Sequence, residues 1–455
     1  MRDAQGPLRD RRRHWVVLGS LIGAAGLFRV TQNMAITSFS LLGKRELGLG
    51  AGTLGVLGAI SGLVLVTVMV TVAARVPARR AAAAVVAASL LLAASLVTFA
   101  IATSLVVFIL AIVLLGAAGG LGLPVLLNAV ENAAGDNRQR AAAMYAMALS
   151  ASLAIGPAIE TMVLDGASQA LRVPFVAFVA LPVVAAVLVF GRVLRSHGSS
   201  RHPLVASIDR IDDAGPPESP RSTTPLGTES TCTVTPPGRS WHEGLVGSRE
   251  GRLALTAQLL YAVPFSGITV FAALVGETVF GATPAETQVG FTAFFVTSFA
   301  VRGVVSWRSP VTHKMTLFVI SAVLTALGVV LLGTGHGLGL FFLAMALLGL
   351  PHGITFPLSL ALLGDSMSPA ELPRANANLL AASNVATIVV PPILGVLVPY
   401  FGYNGMTLFI LAPLALFTAL LWFQRPRMPI GGASPSRHGR PAPRTPLRGA
   451  AQRGR

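Results

Sequence analysis

Charge and cysteine are what this sequence is short of. Only 11% of its 455 residues are charged, lysine occurs only at Lys44 and Lys314, and 53% are hydrophobic. With a mean hydropathy of +0.71, a soluble globule would lack the polar residues to cover its core, so that class is excluded. The single cysteine, Cys232, excludes an intrachain disulfide. There is no G-x4-G-K-S/T phosphate loop and no H-E-x-x-H, and the eight His are scattered. ATP hydrolysis and a metal site are therefore unsupported, and neither an enzyme activity nor a cofactor is expected. No cleavable signal peptide is expected either, because Arg9, Arg11, Arg12 and Arg13 lead into an apolar run too long for one.

What is present is a series of apolar runs. A helix needs roughly 20 such residues to cross about 30 Å of hydrocarbon. Spans are expected near 15–38, 52–74, 81–103, 105–128, 141–164 and 173–191, then 253–276, 287–307, 314–334, 338–362, 375–399 and 404–423. The fold class is thus all-α integral membrane, with about twelve transmembrane helices. Of 34 Lys and Arg, the loops on one face carry only Lys44, Arg45 and Arg172, while Arg29 and Arg302 lie within spans. All others fall on the face of the termini, which the positive-inside rule makes cytoplasmic. Trp15, Trp307 and Trp422 sit at span ends on that face, as interfacial anchors should. The formal charge of +16 reads as membrane orientation, and no nucleic-acid partner is expected.

Residues 192–252 form the one long polar interior stretch, rich in Pro, Ser, Thr and Arg, and read as a disordered cytoplasmic linker. It divides the chain into a 1–14 tail, a six-helix bundle over 15–191, a second over 253–423 and a basic disordered tail over 424–455. The halves repeat. Leu114, Leu115, Gly116, Gly120 and Pro124 recur as Leu347, Leu348, Gly349, Gly353 and Pro357, and Arg75 and Pro77 recur as Arg308 and Pro310, all at the offset of 233 residues separating Arg75 from Arg308. Arg140 and Arg374 follow one residue out of step, and Gly156-Pro157 faces Pro391-Pro392. Gly55, Gly58 and Gly62, like Gly116 and Gly120, are spaced for close helix contact. Pro124, Pro157, Pro357 and Pro391 are expected to kink their spans.

These features resemble the major facilitator superfamily (MFS). The resemblance is carried by the six-plus-six layout, Glu46-Leu47-Gly48-Leu49-Gly50 leading to Gly55, the Arg75-Val76-Pro77-Ala78-Arg79-Arg80 loop, Gly156-Pro157 and Leu171-Arg172-Val173-Pro174-Phe175. Ala74 and Pro77 stand where that family's loop usually has Asp and Gly. The resemblance implies two pseudo-symmetric bundles and secondary transport by alternating access in the cell membrane. The function expected is proton-coupled export of a small amphipathic compound by a monomer. Uptake of a small organic anion is the alternative, and a non-transporting receptor or scaffold is a third reading.

Ionisable groups within spans are the site candidates, since a mid-bilayer charge costs at least about 2.5–3.5 kcal/mol. Arg29 lies about 21 Å along its helix from Trp15, and with Gln32, Asn33 and Thr37 makes a polar stripe expected to line a substrate cavity. Glu160 is the expected proton carrier, at a depth where it would pair with Arg29 in one state. Gln258, Tyr261, His352, Thr355 and Asn384 would complete the cavity. Arg302, close to Trp307, is expected to snorkel to the interface. Glu131, with Asn128 and Asn132, is expected to pair with Arg75, Arg79 or Arg80 as a cytoplasmic gate.

Overall fold

The computed structural model describes residues 6–134, 137–197, 247–308, 313–367 and 372–424. The interior of the expected linker, Cys232, Pro310 and the basic tail after Gln424 lie outside the described residues.

Among the described residues all regular structure is helical. The first half comprises α1 (Gly6–Leu47), α2 (Ala51–Thr71), α3 (Ala81–Ile101), α4 (Leu105–Ala134), α5 (Arg138–Gly166), α6 (Arg172–Ala177) and α7 (Ala180–His197). The second comprises α8 (Arg249–Phe280), α9 (Pro284–Trp307), α10 (Lys314–Thr334), α11 (Leu338–Ser366), α12 (Leu372–Phe409) and α13 (Leu411–Gln424). By length and composition 11 stretches are apolar enough to cross a membrane, and the last, Ala375–Gln424, has 50 residues. At 1.5 Å per residue it would extend about 75 Å, more than twice the hydrocarbon thickness. It is broken at Gly402, whose φ of 64° takes it out of the helix. Beyond the break, Arg249 Nε donates to the Gln424 carbonyl at 2.9 Å, so the chain has returned to the face where α8 begins. The stretch counts as two spans, giving twelve.

Several helices run past the expected spans, α1 furthest. α1 starts at Gly6, with Pro7 in its first turn, and continues past residue 38 to Leu47, so Lys44 and Arg45 are helical. Arg and Leu are good helix formers, and nothing stops the helix before Gly48. The sixth span is two helices, α6 and α7, interrupted at residues 178 and 179.

The sequence repeat is a repeat of contacts. α1 ends when Gly48 takes the left-handed conformation (φ 64°) and Leu49 N donates to the Gly43 carbonyl at 3.1 Å. At the same offset of 233, α8 ends at Gly281 (φ 69°), and Ala282 N donates to the Gly276 carbonyl at 2.9 Å. A Cβ at Gly43 would meet Leu54 and Phe108; one at Gly276 would meet Thr287 and Phe341, their repeat mates. Likewise Gly116 sits against the Ser61 carbonyl and Gly349 against that of Phe294, while Gly120 sits against the Leu65 carbonyl and Gly353 against that of Ser298. With no hydrophobic drive between helices in lipid, such backbone approach is how they hold together.

The main buried apolar cluster runs through both halves, from Leu18 to Ile410, with Phe99 set against Phe108 and Phe175 at ring separations of 5.1 and 5.0 Å on the first-half side. The halves meet where α2 lies on α12 and α5 on α9. A Cβ at Gly55 would fall on the Pro391 carbonyl, and one at Gly395 would lie 2.6 Å from that of Ala51. On the face opposite the chain ends, polar ties add to this seam. Lys44 Nζ reaches Glu277 Oε2 at 3.2 Å, Arg45 pairs with the same carboxylate, and Ala285 N donates to Gln169 Oε1 at 2.9 Å. These ties join the halves across that distal face.

Candidate functional site

The two arginines that lie within spans converge from opposite halves. Arg29, on α1, donates through Nη1 to Gln32 Oε1 at 2.7 Å, one turn on. Gln32 is 1% exposed and occupies the space left by Gly119 of α4, where a Cβ would collide with its amide. Arg302, on α9, does not snorkel: its Nη1 donates to Ser150 Oγ of α5 at 3.0 Å and its Nη2 to the His352 carbonyl at 3.4 Å. Its Nε is buried and has no partner among the described residues. The snorkelling expectation failed because α9 turns this residue toward α5 and α11, away from lipid. Arg29 lies within electrostatic reach of Arg302, Tyr145 and Tyr261. Among the described residues neither arginine has a carboxylate partner.

An aromatic wall stands beside them. His352 of α11 shares a hydrogen bond of 2.5 Å with Ser298 Oγ through Nδ1. Its ring is 5.0 Å from Tyr261, 4.7 Å from Phe265 and 5.1 Å from Phe294. Tyr261 and Phe265, one turn apart on α8, stack at 5.4 Å, and both are half-buried. Two guanidinium groups and this wall together suit an anion with an apolar or planar part.

Other expected cavity residues are committed elsewhere. Asn33 Nδ2 donates to the Leu153 carbonyl of α5 at 2.8 Å, and Thr37 Oγ1 to the Asn33 and Met34 carbonyls of its own helix at 3.1 Å. Gln258 Nε2 donates to Ser383 Oγ at 2.6 Å, tying α8 to α12, and Thr355 Oγ1 to Ser321 Oγ at 3.0 Å, tying α11 to α10. Asn33, Gln258 and Thr355 are helix glue, while Thr37 turns back on its own helix. Asn384 is half-buried. The sequence reading passed over Tyr145, Ser150 and Phe265; no motif marks them, since only packing brings them to the arginines.

Glu160 is 0% exposed, and it is not paired with Arg29. Its Oε1 accepts from the Ser38 hydroxyl, nine residues beyond Arg29 and so about 13 Å further along α1. Ser38 Oγ in turn accepts from Gln288 Nε2 of α9 at 3.0 Å.

The expected cytoplasmic ion pair is not formed. Arg75 donates to the Thr71 carbonyl, Arg79 and Arg80 are exposed, and Glu131 pairs with none of them. Glu131 instead lines a cavity of about 130 Å³ with Val76, Ala81, Val125, Asn128 and Asn132.

The family model described as Major Facilitator Superfamily matches residues 21–209 and 254–454. A comparison with curated proteins finds no match. Among solved structures, the nucleoside transporter NupG superposes with a TM-score of 0.66 at 12% identity, covering 90% of this chain and 98% of that one. A bacterial homolog of the human lysosomal transporter Spinster, inward-facing and unoccupied, gives 0.66 at 11% identity, with 90% and 96% covered. A variant of the peptide transporter POT in complex with sulfate gives 0.62 at 13% identity, with 90% and 95% covered. At such identities the likeness is one of fold.

Proposed function

The chain belongs to the Major Facilitator Superfamily, and from that premise we propose that it carries a small organic anion together with a proton across the cell membrane. The general activity is secondary transport by a multi-pass membrane protein. The finer reading rests on one observation: Arg29 and Arg302, from opposite halves, lie within electrostatic reach of each other, and among the described residues neither has a carboxylate partner. Two uncompensated cations in a low-dielectric site favour a bound anion, and a ligand bridging both halves couples occupancy to their relative movement.

The separation of Glu160 from Arg29 supports symport over export. Export by competition needs proton and substrate to contend for one guanidinium. Here the carboxyl group bonds to Ser38, well removed from Arg29, so anion and proton have separate places and can be carried together. The arginine-rich loops support cytoplasmic termini, and the repeat supports two halves rocking as units in a monomer.

The test is accumulation in proteoliposomes. Radiolabelled mono- and dicarboxylates, with and without aromatic rings, are offered under an inward proton gradient. Gradient-driven accumulation of at least one of them, lost in Arg29→Ala and Arg302→Ala, is the expected result. Transport confined to neutral or cationic compounds would refute the anion assignment, and no proton-linked flux with any compound would favour a receptor or scaffold.

A further inference from the structure

Where the halves touch near the distal face, one buried network has more acceptors than donors. The Ser38 hydroxyl donates to Glu160 Oε1, and Gln288 Nε2 donates to Ser38 Oγ at 3.0 Å. Glu160 and Gln288 are both 0% exposed, yet Glu160 Oε2 and Gln288 Oε1 have no partner. A sealed pair of orphan acceptors is unfavourable, the more so if one belongs to an ionised carboxylate. A proton on Glu160 Oε2 converts one of these acceptors to a donor and the anion to a neutral acid.

Among the described residues no other charge stands in for that proton. On α1, Arg29 bonds to Gln32, and Lys44 and Arg45 bond to Glu277 of α8. On α9, Glu286 caps its own helix and Arg302 reaches Ser150. On α5 itself Asp165 accepts from Gln169, and Arg172 of α6 pairs with Glu46. Arg140 stands over Trp15, and Glu131 of α4 lines the cavity on the far face. None bonds to Glu160.

We infer that Ser38 and Gln288 are positioning residues that transmit the protonation of Glu160 to the opposite half, so that the distal face closes when Glu160 carries a proton. The network spans α5, α1 and α9, and therefore both halves. Separation of the halves must break the Gln288–Ser38 bond and expose Glu160 to water, where it loses its proton. Closure buries it again only in the neutral form. This rests on Glu160 as the proton carrier of the proposed symport, and adds the route by which the second half responds.

The experiment needs no substrate. In full-length protein with Cys232→Ser, spin labels at Thr103→Cys and His336→Cys, both exposed beside the distal face, report the separation of the halves in lipid nanodiscs across a pH series. The closed population should dominate in acid and fall as pH rises, while Glu160→Gln should stay closed throughout. Ser38→Ala removes the hydroxyl that links Gln288 to the carboxylate, so like loss of Gln288 it should reduce the closed population at acid pH about tenfold, and Ser38→Thr should restore it. Gln288→Leu should reduce the closed population at acid pH about tenfold. Monodisperse elution of each variant establishes that it is folded. A pH dependence abolished by Glu160→Gln but indifferent to Ser38→Ala and Gln288→Leu would overturn the relay while leaving the proton carrier intact. A pH dependence that survives Glu160→Gln would overturn both. Closure that follows added sodium instead of pH would make this a metal-cation site and also overturn the inference.

Discussion

Asn33 Nδ2 donates to the Leu153 carbonyl at 2.8 Å, and Leu153 is the residue whose carbonyl Pro157 deprives of its helical donor. The proline opens an acceptor in the middle of α5, and the asparagine of α1 closes it. The second half repeats the meeting in weaker form: Ser266 of α8 and Thr387 of α12, at offsets of 233 and 234, stand 3.4 Å apart, four residues before Pro391.

Asn33→Ala should therefore destabilise the detergent-solubilised protein by about 1–3 kcal/mol, the cost of an orphaned buried acceptor. In a Pro157→Ala background, the backbone N–H regained at that position can serve the same carbonyl, so the added cost of Asn33→Ala should shrink. Thermal unfolding of the four proteins in the cycle measures this. Equal costs in both backgrounds would show that Asn33 acts through something other than the freed carbonyl.

The arginine pair predicts a binding defect. Truncating a charged partner of a buried ligand costs about 2–5 kcal/mol, so Arg29→Ala should weaken binding of a transported anion about 30-fold or more. Arg302→Ala should do the same, while Ser150 keeps its bond to the Ala146 carbonyl. Isothermal titration with whichever carboxylate accumulates in proteoliposomes is the check, with unchanged affinity in Arg29→Ala the contrary result.

Closure of the distal face depends on glycine. A side chain at Gly55 would strike the Pro391 carbonyl, and one at Gly58 would press on Val270 at 3.0 Å. Gly55→Val should hold the halves apart on that face. Val270→Cys, 4% exposed at the seam before substitution, should then react with an impermeant maleimide at least about tenfold faster than without Gly55→Val, in a Cys232→Ser background. An unchanged labelling rate would mean that the seam tolerates the side chain.

Cys232 lies outside the described residues but is the one natural thiol. If the basic loops are cytoplasmic, an impermeant maleimide applied to intact cells should leave it unmodified and label it after lysis. Labelling from outside would reverse the assigned orientation.

The amino-acid order by itself determined the membrane class, the six-plus-six count and the internal repeat. Each is written in local chemistry: the length of apolar runs, the placement of arginines and the spacing of glycines that must meet a backbone. Gly116 and Gly349 were legible as contact positions because lipid provides no other means of close helix association. The partners of the buried polar groups were decided only in three dimensions. Arg29, Asn33 and Thr37 share a stripe by helical spacing, yet of the three only Arg29 is placed by Arg302, because Pro157 claims the asparagine and Thr37 turns back on its own helix. Arg302 looked like an interfacial residue by its distance from Trp307, and Glu160 looked like a partner of Arg29 by depth. Depth along a helix fixes height but not azimuth, and it is azimuth, set by how α5 and α9 pack on each other, that sends Arg302 to Ser150 and Glu160 to Ser38.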